Sequence, residues 1–252
     1  MRSLVFFALL VTGAFSKHIE GGVEDDDKII DGFSCYKNTI PYQVSLRSDG
    51  RHFCGGALIA KQWVVTSAQC FKSNTQVVVG EHDLTAFESK EQSINVHKAI
   101  RHPAFNSQTL VNDIMLLKLT KEVTINAFVQ TVTLPSYYAG SHVDCLVTGW
   151  GDTSATNADD PANILQCLDS PIIADNECSF YYPDRITNSM FCAGYVGYSS
   201  TCKGDEGGPL VCNGQLQGIV SWGDRCSAAK IPWVYTKVYN YLGWIQNTMK
   251  TK

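Results

Sequence analysis

The sequence is short of charge, and no sign is concentrated. Asp, Glu, Lys and Arg make up 17% of its 252 residues, and the formal net charge is −4. It has no block of Lys and Arg, which excludes nucleic acid and an anionic membrane surface as expected partners. No Asn-x-Ser/Thr sequon occurs, so N-glycosylation is not expected. No Cys-x-x-Cys or His-x-x-x-His spacing occurs, which leaves a zinc site without support. No run is long enough to cross a bilayer, which takes about 20 apolar residues.

What is present points outward. "MRSLVFFALLVTGAFS" has a charged Arg2, an apolar run from Leu4 to Val11, and small Ala14 and Ser16. That is the pattern of a secretory signal peptide, residues 1–16, cleaved after Ser16. It predicts a secreted, extracellular protein. The 10 cysteines then read as five disulfides, although sequence alone leaves their pairing open. A hydrophobic content of 44% suits a globular chain with a sizeable core.

Residues 17–28, "KHIEGGVEDDDK", are acidic and lack apolar periodicity, so they read as an exposed segment. Beyond Ile29, short apolar or alternating runs recur. They include "YQVSL" (42–46), "CGGALI" (54–59), "WVVTS" (63–67), "QVVVG" (76–80), "IMLLKL" (114–119) and "CLVTGW" (145–150). "PLVC" (209–212), "LQGIVSW" (216–222) and "WVYTKV" (233–238) follow. Many short strands with turn residues between them predict an all-β barrel or sandwich. In "VYNYLGWIQNTMK", Val238, Tyr241, Leu242, Ile245 and Met249 recur at helical spacing and predict a C-terminal amphipathic helix. Residues 153–163 read as a surface loop.

Four segments then converge: "DDDKIIDG" (25–32), "WVVTSAQC" (63–70), "NDIMLLKL" (112–119) and "CKGDEGGPLVC" (202–212). Their order and spacing resemble those of the trypsinogen-like members of the chymotrypsin/trypsin serine protease family. The resemblance spans residues 25–252. It implies two perpendicular antiparallel β-barrels, roughly 29–135 and 136–240, with a C-terminal α-helix. It makes 17–28 an activation peptide and 29–252 the mature domain. It also implies the pairs Cys35–Cys167, Cys54–Cys70, Cys145–Cys212, Cys178–Cys192 and Cys202–Cys226. A sixth bridge of many relatives is absent, its positions being Tyr138 and Tyr239, whose packing is expected to offset part of the loss.

The resemblance also shows what has changed. The triad aspartate matches as Asp113, but the histidine position is Gln69 and the serine position is Glu206. An amide has no proton affinity near neutral pH, so Gln69 is not a general base. It can donate an N–H to Asp113 and so satisfy a buried carboxylate. A carboxylate attacking an amide would give an anhydride with a poor leaving group, so Glu206 is no peptide nucleophile. The oxyanion hole maps to the backbone of Gly204 and Glu206, and the Glu206 carboxylate is expected to fold back onto those N–H groups. The specificity pocket maps to Ser200, Gly223 and Trp233. Ser200 replaces the aspartate that pairs with substrate Arg or Lys, and an indole replaces a wall glycine. None of the six histidines sits in a catalytic motif.

Other parts are kept. Lys28 precedes Ile29 as an activating protease would require, and Asp205 is the partner the family supplies for the freed Ile29 amine. Asp31 replaces a turn glycine. "GEHDLTAFESKEQ" (80–92) resembles the family's calcium loop, with Glu81, Glu88 and Glu91 as carboxylates and Asp83 and Ala86 as backbone carbonyls. Calcium there would be structural. Three readings follow. One is an inactive, monomeric homologue that binds a protein or peptide ligand in a digestive secretion. Another is an enzyme using Glu206 and Asp113, or a residual digestive endopeptidase. The third is a folded relic. Trp233 argues against an inhibitor decoy that captures Arg or Lys.

Overall fold

The computed structural model describes residues 32–152, 162–195, 201, 203–223 and 231–252. The expected leader and activation peptide, Lys28, Ile29, Asp31, Ser200, Cys202, Cys226 and most of the 153–163 loop lie outside the described residues.

The strands, in chain order, are β1 (Phe33–Ser34), β2 (Gln43–Ser48), β3 (Arg51–Ala60), β4 (Trp63–Thr66), β5 (Gln76–Val79), β6 (Gln92–Arg101) and β7 (Met115–Leu119). They continue with β8 (Leu146–Gly149), β9 (Gln166–Asp169), β10 (Met190–Ala193), β11 (Pro209–Cys212), β12 (Gln215–Trp222) and β13 (Trp233–Lys237). Two helices join them, α1 (Asp175–Tyr181) and α2 (Leu242–Thr251). The protein is thus mostly β with a short C-terminal helix.

Strands β2-β3-β4-β7-β6-β5 close into a six-stranded barrel. The β2–β3 hairpin turns at Asp49 and Gly50, with φ of 52° and 77°. Asp-Gly is the dipeptide that tolerates two consecutive left-handed residues, and that turn matches strand twist. Val44, Leu46, Leu58, Val64, Val77, Val79, Leu117 and Leu119 fill the barrel. The remaining strands form a seven-stranded sheet in the order β1-β9-β8-β11-β12-β13-β10. Its core includes Val147, Leu168, Phe191, Leu210, Val220 and Tyr235. Strand β1 precedes the barrel in sequence but pairs with β9, which stitches the chain's start to the second sheet.

The C-terminal stripe does what its spacing predicts. Val238, Tyr241 and Ile245 are buried against Trp63, Ile114, Leu116, Leu216 and Ile219, at the junction of the two sheets. Residues 238–241 form a 3-10 turn, so the α-helix itself starts at Leu242.

Four of the disulfides bond Cys35 to Cys167, Cys54 to Cys70, Cys145 to Cys212 and Cys178 to Cys192. At the missing sixth bridge, the two tyrosines behave differently. Tyr138 lies edge-on to Phe191 with centroids 5.8 Å apart, and Lys237 Nζ sits 4.1 Å over its ring. Tyr239 stays 42% exposed, so of the two tyrosines it is Tyr138 that packs against the core.

Candidate active site

The altered positions meet where the barrel faces the sheet. Gln69 sits on a 3-10 turn, Ala68–Cys70, directly after β4. The Cys54–Cys70 bridge holds that turn to β3. Asp113 lies just before β7 and is fully buried. Asn112 beside it adopts φ 58°, a left-handed bend that Asn tolerates. The sheet supplies Gly204, Glu206, Ser221, Gly223 and Trp233. Glu206 is tied to the barrel through its carbonyl, which accepts the Gly55 N–H at 2.8 Å.

Gln69 replaces the imidazole as a hydrogen-bond donor. Its Nε2 donates to Asp113 Oδ2 and to the Ser221 carbonyl, both at 2.7 Å. Its backbone N–H donates to Asp113 Oδ1 at 2.9 Å. Ser221 Oγ donates to Asp113 Oδ2 at 2.7 Å. Burial pushes the Asp113 carboxyl up, against the pull of these donors. Asp113 is therefore surrounded by donors and lacks any group that can carry a proton away.

Glu206 bends back on its own loop. Its Oε2 accepts the Gly204 N–H at 2.7 Å. Gly204 has φ 99°, which presents that N–H in a conformation few other residues adopt. Burial raises the pKa of Glu206, opposed by bonds from the Glu206 and Gly204 backbone. The adjacent Asp205 points the other way. It is fully buried, and Gly151 N–H donates to its Oδ1 at 2.8 Å. A Cβ on Gly149 or Gly151 would run into its carboxylate oxygens.

His52, which carries no sequence motif, supports this loop. Its Nε2 lies 3.1 Å from the Gly204 carbonyl and its Nδ1 lies 2.9 Å from Ser45 Oγ. Ser45 Oγ–H donating to Nδ1 leaves Nε2–H to donate to Gly204 O. Burial is the main cause that brings the imidazole pKa down to about 4. His52 is thus neutral, and it anchors the Gly204–Asp205 peptide, the one after the peptide that carries the Gly204 N–H. No local pattern announces it, because Gly204 is 152 residues away in sequence.

Trp233, expected in the specificity pocket, packs against Gly223. A Cβ on Gly223 would lie 2.5 Å from Trp233 Cδ2, so the indole lies against the glycine backbone. Trp233 is 5% exposed. Among the described residues its Nε1 has no hydrogen-bond partner.

In the 80–92 loop, Glu81, Glu88 and Glu91 bring carboxylate oxygens within 4.8 Å of one another. Glu81 Oε1 is buried without a partner among the described residues. Burial raises the Glu81 pKa to about 7. A buried, unpartnered oxygen among hard oxygen donors fits calcium. Two side chains from outside the loop already reach in: Arg47 pairs with Glu81, and Lys37 pairs with Glu88. The Asp83 carbonyl accepts the Ala86 N–H at 3.2 Å.

A closed six-stranded barrel against a second sheet, with a buried aspartate at their junction, is the framework of a chymotrypsin-type serine protease. Sequence comparison specifies the family. The Trypsin family model matches residues 29–245. Human "Serine protease 1" is 50% identical over 242 residues, covering 96% of this chain and 97% of the relative. "Trypsin" of Xenopus laevis is 52% identical over 229 residues, covering 90% and 93%. "Trypsin" of Sus scrofa is 52% identical over 227 residues, covering 90% and 97%. The chain belongs to the trypsin family.

Proposed function

We propose that this chain is a secreted trypsin-family protein that does not cut peptides and acts by binding. One observation carries the reading: the Glu206 carboxylate accepts the Gly204 N–H at 2.7 Å. That donor would otherwise stabilise the oxyanion of an acyl-transfer reaction. The nucleophile position is therefore the occupant of its own anion hole. Gln69 offers only donors to Asp113 and takes no proton. Loss of the serine or histidine alone lowers kcat by about 2 × 10⁶ in a serine protease, and here both are replaced.

Catalysis by Glu206 with Asp113 is disfavoured by the same bonds. One carboxylate is held by Gly204, the other by Gln69 and Ser221. Secretion is supported by the leader-like N-terminus and by four disulfides, which suit an oxidising compartment. Activating cleavage after Lys28 is retained in this reading, with Asp205 as the buried anion that the new amine would meet. Calcium would be held by Glu81, Glu88 and Glu91 with the carbonyls of Asp83 and Ala86, and would brace the loop. A calcium-dependent rise in melting temperature that vanishes in Glu88→Gln checks that role.

The test of inactivity uses the chain cut after Lys28 by an activator that is then removed. It is assayed on a diverse fluorogenic peptide library, with a trypsin inhibitor present to silence contaminants. The expected result is no turnover. Turnover that disappears in Glu206→Ala would make Glu206 catalytic and end this reading.

A further inference from the structure

The 80–92 loop is met by two of the protein's own cations. Arg47 Nη2 pairs with Glu81 Oε2, and Lys37 Nζ pairs with Glu88 Oε1. The Glu88 N–H donates to Glu91 Oε1 at 2.6 Å, so the third carboxylate is engaged as well. The Asp83 carboxylate is held by Thr85, whose N–H and hydroxyl donate to it at 2.9 and 2.7 Å. Glu81 Oε1 is buried and has no partner among the described residues. The two cations differ in kind. The Arg47 side chain is 18% exposed, and the Glu81 side chain that it meets is fully buried. The Lys37 side chain is 57% exposed and reaches Glu88 from the solvent side. Its backbone is nevertheless fixed. Cys35 is bonded to Cys167, and the Tyr36 carbonyl accepts the Thr39 N–H at 3.1 Å and the Thr39 hydroxyl at 2.7 Å. Asn38 closes that turn at φ 71°. A rigid turn thus aims a flexible ammonium at the carboxylates.

We propose, on the reading of this loop as a calcium site, that Lys37 is its resident counter-ion and competes with calcium for it. Three carboxylates with oxygens within 4.8 Å of one another repel, and a cation must offset that repulsion if the loop is to keep its shape. Arg47 and Lys37 offset two of the three negative charges. A divalent ion then meets a weaker field than three bare carboxylates would give, and affinity in oxygen sites follows ligand charge. Arg47 can stay while calcium binds, because Glu81 keeps Oε1 beside it. Lys37 is the cation that exchanges, since its stem is solvated and its partner is a ligand residue. The loop is therefore braced without calcium, and calcium adds little while Lys37 is in place.

The test is titration of the full chain with calcium chloride by isothermal calorimetry. Melting temperatures are read alongside, in chelator and in excess calcium. Lys37→Gln should bind calcium at least about tenfold more tightly, because an ammonium beside a divalent ion is removed. Lys37→Arg keeps the charge and should stay within about threefold of the parent. Lys90→Gln removes an exposed charge of the same loop that is in no ion pair among the described residues, and should gain less than about threefold. In chelator Lys37→Gln should melt below the parent, and the gap should close in excess calcium. Equal gains in Lys37→Gln and Lys90→Gln would reduce the effect to net charge and overturn the proposal. An unchanged affinity in Lys37→Gln, with calcium binding that Glu88→Gln removes, would keep the calcium reading and overturn the competition. Calcium binding by neither the parent nor Lys37→Gln would end the calcium reading and the competition together. A melting temperature in chelator that Lys37→Gln leaves unchanged would show that Lys37 is no counter-ion.

Discussion

The wall built by Gly223 and Trp233 is packed shut, whereas the wall built by Arg51, Lys72 and Lys203 borders open cleft. Both lie on the same framework of barrel and sheet. On the closed wall one side chain covers Gly223 while its own strand stays in register with its neighbour. Trp233 still pairs with Ala193 across β13 and β10. The open wall carries its charge on side chains that reach solvent. Between them sits Glu206, whose carboxylate accepts the Gly204 N–H of its own loop. Side chains divide the cleft into a filled half and an accessible half.

The strongest way to break this contrast is to reopen the closed half. Gln69→His with Glu206→Ser restores the triad residue types but leaves Ser200 and Trp233 unchanged. That double variant should not cleave after Arg or Lys at a useful rate. Adding Ser200→Asp and Trp233→Gly should raise kcat/KM on an Arg substrate by at least about 10⁴-fold, the scale on which a buried polar partner discriminates. Robust tryptic turnover by the double variant would show that Trp233 does not close the pocket.

A smaller effect measures how firmly the closed half is packed. Trp233 is buried to 5% exposure, and its ring covers Gly223. Trp233→Ala should cost about 3–5 kcal/mol in urea unfolding of the described fold, as for other buried aromatics. A loss under about 1 kcal/mol would mean that the indole is an ornament of the pocket, free to swing aside for a ligand.

The smallest effect sharpens the role of His52 between the two halves. Its pKa lies near 4 in the folded protein, below the ordinary value of 6.5. The unfolded state therefore binds more protons between those values. The contribution of neutral His52 is fully present above about pH 6.5 and is lost as pH falls toward 4, amounting to at most about 3 kcal/mol. Comparing urea unfolding of the protein and of His52→Gln from pH 7 to pH 4 should show a steeper acid loss in the former. Parallel curves would mean that His52 titrates the same way folded and unfolded.

Much of this was legible in the sequence, and the parts that were not share a physical cause. The apolar runs locate most strands because burial on a pleated surface selects Val, Ile and Leu. Strand β6 is hidden by its own exposure, since Ser93, Asn95, Lys98 and Arg101 face outward through it. Strands β9 and β10 are four residues each and centre on a half-cystine. Helix α1 has no side-chain cap to mark its start at Ala174. At the site, Gln69, Asp113, Glu206 and Trp233 are found by motif position. Arg47, Lys37, His52 and Ser221 are not, because each meets its partner across a long sequence separation that only the fold closes. Arg47 and Glu81 are 34 residues apart, and Ser221 and Asp113 are 108 apart.

The central claim is that Glu206 occupies the donor that catalysis would need. The most direct measurement is the amide proton resonance of Gly204, in the ¹⁵N-labelled protein cut after Lys28 and in Glu206→Ala. A short bond to a carboxylate predicts a downfield, slowly exchanging Gly204 N–H that moves upfield and exchanges faster in the variant. A Gly204 resonance that is the same in both proteins would show the donor to be free, and would contradict the account.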